Sequence, residues 1–130
     1  MTTVRQLINR SLRLLAVRQT GENPTSVEAQ DAMEALNGML NAWAGLGIDL
    51  EFLAFTDLTQ AVPYAEDHIS AFAYNLAIEI APEYGVEPPD AVISRAQTYF
   101  KMLQTQYCDP DILTIDPALM PVFNANSWTL

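Results

Sequence analysis

The chain has 130 residues, half of them apolar and 17% charged, which is the length of one ordinary domain and too apolar for a disordered segment. Its net charge of −10 argues against a general nucleic-acid binder and against docking on anionic lipid, since both need clustered Lys and Arg. The charge is unevenly spread: residues 1–18 hold Arg5, Arg10, Arg13 and Arg18 without an acid, residues 19–94 hold thirteen acids without Lys or Arg, and residues 95–130 set Arg95 and Lys101 against Asp109, Asp111 and Asp116.

The first helix is expected over 3–17. Val4, Leu7, Ile8, Ser11, Leu14 and Leu15 recur at the three-and-four spacing of one helical face, with Gln6, Asn9, Arg10 and Arg13 opposite. Gly21, Asn23 and Pro24 break the pattern. The second helix starts at Thr25 or Ser26, with Glu28 placed to complete a capping box. Ala29, Met33, Leu36, Leu40 and Trp43 form its core stripe, Asp31, Glu34, Asn37 and Asn41 its wet face, and Gly45 and Gly47 its stop.

From 48 to 64 the period changes to two, with Ile48, Leu50 and Phe52 alternating with Asp49 and Glu51. One or two short strands, or an extended hairpin, are expected in what is otherwise a long central loop. The third helix begins near Glu66 or Asp67 and carries Ile69, Phe72, Ala73, Leu76, Ala77 and Ile80, with Pro82 expected to end or kink it and Gly85 to close the turn. The fourth follows Pro88 and Pro89 and presents Val92, Ile93, Ala96, Tyr99, Phe100, Leu103 and Tyr107. The expected fold is therefore all-α, a small four-helix bundle over 1–107 followed by an extended tail over 108–130. That tail carries Pro110, Pro117 and Pro121 yet is rich in apolar residues, among them Leu119, Met120, Val122, Phe123, Trp128 and Leu130. Such a segment is expected to strap onto a surface, either its own bundle or another subunit.

Little in this chain suggests catalysis. His68 is the only histidine and Cys108 the only cysteine, so multi-His metal sites, cysteine-based zinc sites and internal disulfides are excluded within one chain. A Cys108–His68 nucleophile pair has no local mark of activation, and His68 reads as a surface or capping-region residue. The carboxylate pairs Glu79/Glu83 and Asp49/Glu51, and the Asp109-Pro110-Asp111 run, lack the further ligands of a Ca²⁺ or Mg²⁺ loop. They read as solvated acids, and a cell-wall hydrolase working through one such pair has no recognisable site. No cofactor is expected. Arginines interrupt any secretory h-region at the N-terminus, and the longest charge-free stretches, 35–48 and 117–130, fall short of the roughly 18 apolar residues of a membrane span. A soluble, intracellularly made protein with no membrane partner is the expectation.

The run Asn75-Leu76-Ala77-Ile78-Glu79-Ile80-Ala81-Pro82-Glu83-Tyr84-Gly85 resembles a motif of phage head-to-tail adaptor proteins, also called head-completion, tail accessory or packaged-DNA-stabilisation proteins. The likeness extends to the first helix and to the second, which ends on Trp43, and so covers about residues 4–107. The resemblance implies a structural protein of the virion's head–tail junction, made in the host cytoplasm. It implies a ring of about twelve copies under the portal protein, which holds packaged DNA without reading its sequence and presents a surface to tail proteins. Trp43, Asn75, Leu76, Ala77, Pro82, Tyr84 and Gly85 carry the motif, and the apolar tail fits portal docking by composition. The alternative reading is an acidic regulatory or DNA-mimic module that occupies a basic site on another protein.

Overall fold

In a computed structural model describing residues 2–17 and 24–107, four helices form: α1 (Val4–Leu14), α2 (Ser26–Ala44), α3 (Glu66–Tyr84) and α4 (Asp90–Tyr107). Helix α3 lies at the centre and packs on the other three. Its buried stripe of Ile69, Phe72, Leu76 and Ile80 meets Leu7, Ile8 and Leu12 of α1, Leu36, Leu40 and Trp43 of α2, and Val92 and Leu103 of α4 in one core. The all-α bundle expected from the sequence is the fold observed.

The N-terminal caps of α1 and α2 are reciprocal. Thr25 Oγ1 accepts from Glu28 N at 3.2 Å while Glu28 Oε1 accepts from Thr25 N at 2.9 Å. Thr3 and Gln6 repeat the arrangement at 3.2 and 3.0 Å, so each cap satisfies two amides that a helix start leaves without partners. Helix α1 is shorter than expected from periodicity. It ends at Leu14 because Ala16 turns left-handed (φ 59°) and Val17 N–H reaches back to Leu12 O at 3.1 Å. Leu12, omitted from the expected stripe, is fully buried.

Pro82 neither ends nor breaks α3. It sits exposed in the last turn, so a single in-helix hydrogen bond is forgone where water can replace it. The stop comes at Gly85, whose φ of 66° lets Val86 N–H bond Ala81 O at 3.2 Å.

Residues 48–64 form no strand. The alternation is real, with Ile48 and Leu50 buried and Asp49 and Glu51 exposed, but an extended segment becomes a strand only with a partner. Here the partner is the start of α1. One isolated antiparallel bridge joins Thr3 to Ala61, Val62 N–H donates to Thr2 O at 2.8 Å, and the carbonyls of Gln60 and Leu58 accept from Val4 N and Arg5 N at 2.9 and 3.0 Å. The connection thus caps α1 with backbone, supplying acceptors to amides of its first turn.

Candidate functional site

Three features among the described residues are built rather than incidental. The first is the 45–65 connection itself. Asn37 on α2 locks it, with Oδ1 accepting from Phe55 N at 2.9 Å and Nδ2 donating to Phe55 O at 3.0 Å. Gln60 Oε1 accepts from the amides of Thr56 and Asp57, and Phe55 is buried edge-on against Phe52. Asn37 is therefore not the wet-face residue expected from its polarity; it is half-buried with both ends of its amide used. Asn37→Ala leaves the Phe55 N–H and C=O without these partners, so a loss of about 1–3 kcal/mol in unfolding free energy is expected. Urea denaturation checks this, and an unchanged midpoint contradicts it.

The second feature corrects the reading of His68 as a surface residue. Its side chain is buried at the start of α3, where spacing of four from Phe72 and eight from Leu76 puts it on the core stripe. Nδ1 lies 2.8 Å from Asp67 Oδ1 and Nε2 lies 2.6 Å from the Tyr107 hydroxyl at the end of α4. An ionised carboxylate only accepts, so Nδ1 carries a proton; in the neutral ring Nε2 then accepts from Tyr107. The imidazole also stacks on Tyr64, with 5° between planes and 6.1 Å between centroids. Burial raises the phenols of both Tyr64 and Tyr107.

The hydrogen bond from His68 holds the Asp67 carboxyl below the usual carboxylate range, against a smaller opposing effect of burial. A lowered folded-state value means that this contribution to stability is present above the unfolded value of about 3.9 and is lost as pH falls below it. Asp67→Asn is expected to lose less stability than the native chain between about pH 5 and about pH 2. Parallel acid denaturation curves would show that Asp67 has no such role.

The third feature is a cavity of about 380 Å³ between the start of α2 and the end of α3, lined by Glu28, Asp31, Ala32, Ile80, Glu83 and Tyr84. The described surface is otherwise acidic too, with exposed basic side chains only at Arg5 and Arg13 of α1 and Arg95 and Lys101 of α4. Arg10 is held in the bundle, its Nη1 3.4 Å from Ser70 Oγ and its guanidinium 5.8 Å from the Tyr74 ring centre.

The motif residues are not gathered into one pocket. Trp43 is buried, 5.2 Å edge-on from Phe100 and 5.8 Å from Phe72. Leu76 and Ala77 are fully buried. Asn75 Nδ2 lies 2.9 Å from Ala71 O and 3.1 Å from Ala96 O, bridging α3 to α4. Tyr84 lines the acidic cavity, while Pro82 and Gly85 shape the end of α3. Leu119, Met120, Val122, Phe123, Trp128 and Leu130 lie outside the described residues, as does Cys108. Among the described residues no three His, Cys, Asp or Glu side chains are grouped to hold a metal ion, and no helix is long and apolar enough to cross a membrane.

A family model described as P22 tail accessory factor matches residues 1–130. The chain belongs to that family. It is thus a phage tail accessory factor by family. No curated protein matches it.

Proposed function

We propose that this tail accessory factor is the head-to-tail connector of a tailed phage. Copies of it form a ring beneath the portal protein, close the filled head, retain the packaged DNA and offer the surface to which tail proteins attach. The observation that supports this most strongly is the separation of charge within one family member. Arg5 and Arg13 are exposed on α1, while Glu28, Asp31 and Glu83 line the cavity between α2 and α3. Complementary patches on different parts of one surface suit heterologous, head-to-tail contacts, which close into a ring when the rotation allows.

A ring of such copies multiplies the −10 of each. Carboxylates lining its channel repel phosphate and let DNA pass without sticking, so DNA is a passenger rather than a ligand. In this reading residues 1–107 are the adaptor domain and residues 108–130 the docking segment, with Leu119, Met120, Val122, Phe123, Trp128 and Leu130 as its apolar anchors on the portal.

Gel filtration of the chain mixed with portal protein tests the proposal. Co-elution of the two is expected. An absence of any complex, together with tight binding to a DNA-binding protein, supports an acidic DNA mimic instead.

A further inference from the structure

Helices α2 and α4 each leave one long stripe exposed, and the two stripes are complementary. On α2 the stripe is Val27, Asp31, Glu34, Gly38 and Asn41; on α4 it is Ala91, Arg95, Thr98, Met102 and Thr105. Both step by four, three, four and three residues, the spacing of a seam where two helices pack side by side, and both rise about 21 Å. Their charges are opposite. Helix α2 carries three acids and no base, whereas α4 beyond Asp90 carries Arg95 and Lys101 and no acid. Among the described residues Asp31, Glu34, Arg95 and Lys101 have no ion-pair partner.

One alignment satisfies the whole seam. Set parallel, the stripes place Arg95 opposite Asp31 and Met102 opposite Gly38, with Glu34 opposite Thr98, one turn from both Arg95 and Lys101. Set antiparallel, they put Asp31 against Met102 and Arg95 against Gly38. Glycine inside a helix weakens it relative to alanine, and a Cβ built on Gly38 meets nothing within 4 Å in its own chain. The bare backbone leaves a hollow in the acidic stripe, and Met102, 37% exposed and unbranched, fills it in the parallel register. Val27, 69% exposed, then meets Ala91. The hydroxyls of Thr98 and Thr105 already donate to Ser94 O and Lys101 O at 3.0 Å each, so covering them strands no donor.

We propose that α2 of one copy packs in parallel on α4 of the next, with Asp31 paired to Arg95 and Met102 seated over Gly38. The partner of the acidic stripe is a second copy of this chain. The contact is head-to-tail, because each copy keeps one stripe of each kind free, and it closes into a ring when the rotation allows. It rests on the ring reading above and deepens it by assigning the basic partner to α4. The exposed Arg5 and Arg13 of α1 have no exposed apolar residue between them, so α1 offers no such seam.

Charge reversal in the full chain, followed by sedimentation alone and with portal rings, tests the contact. Asp31→Lys with Glu34→Lys makes both stripes basic, and Arg95→Glu with Lys101→Glu makes both acidic. Each double variant is expected to weaken association between copies by about tenfold or more. An equimolar mixture of the two variants is expected to recover it, as is one chain carrying all four substitutions. In the native assembly a carbodiimide is expected to join Asp31 or Glu34 of one copy to Lys101 of another. Double variants that assemble like the native chain, or that fail to recover when mixed, overturn this interface and leave the ring reading standing. A native chain that does not associate with itself in either condition overturns both.

Discussion

Phe72→Ala is expected to lower the unfolding free energy by about 3–5 kcal/mol, the largest single-residue loss in the bundle. Phe72 is fully buried on the central helix and packs against three other rings: Trp43 at 5.8 Å, Tyr64 edge-on at 5.4 Å and His68 edge-on at 6.4 Å. It is where α2, α3 and the 45–65 connection meet, so the three neighbours cannot all collapse into the space it leaves. For a domain with a total stability of about 5–15 kcal/mol, a loss of this size takes a large part of the whole. The urea midpoint is expected to fall with the slope unchanged. A loss of less than about 1 kcal/mol contradicts the placement of Phe72 at the centre of the core.

Deleting residues 117–130 is expected to leave the bundle folded and to abolish binding to the portal ring. The described core is built from side chains between Val4 and Leu103 on the four helices and the connection. The deletion removes Leu119, Met120, Val122, Phe123, Trp128 and Leu130. If Phe123 and Trp128 alone act as anchors of about 2 kcal/mol each, affinity falls about a thousandfold. Circular dichroism and gel filtration with portal protein read the two halves separately. Unfolding of the shortened chain, or unchanged portal binding, contradicts this account of the tail.

The helices were legible in the sequence because their ends are written in local chemistry. Thr25 with Glu28 marks the start of α2, and Gly85 marks the end of α3 through a conformation that glycine adopts without strain. The errors came where a residue's type was weighed above its position. His68 and Asn37 are polar and were expected to face water, yet both lie on or beside a buried stripe and have their polar atoms bound in the structure. Spacing of four between His68 and Phe72 was the available signal for the first. Pro82 does not end α3, which runs two residues past it, because an exposed last turn tolerates the missing N–H.

The 48–64 segment failed for a different reason. Alternation reports an extended, half-buried backbone, and that part was right. Its hydrogen bonds run to Asn37, 18 residues from Phe55, and to the start of α1, where Thr3 and Ala61 are 58 apart, and no local pattern specifies partners so distant. The contact surfaces were partly legible. The clustering of acids between residues 19 and 94 was visible, but the convergence of Glu28 and Asp31 with Glu83 on one cavity required the packing of α2 on α3.

We propose that this family member assembles as a ring on the portal. Multi-angle light scattering of the chain alone and mixed with portal rings tests it most directly. The predicted result is a complex whose mass exceeds that of the portal by about twelve copies of the chain, matching a closed ring. A chain whose mass is unaffected by portal protein, with portal rings eluting unchanged, would contradict it.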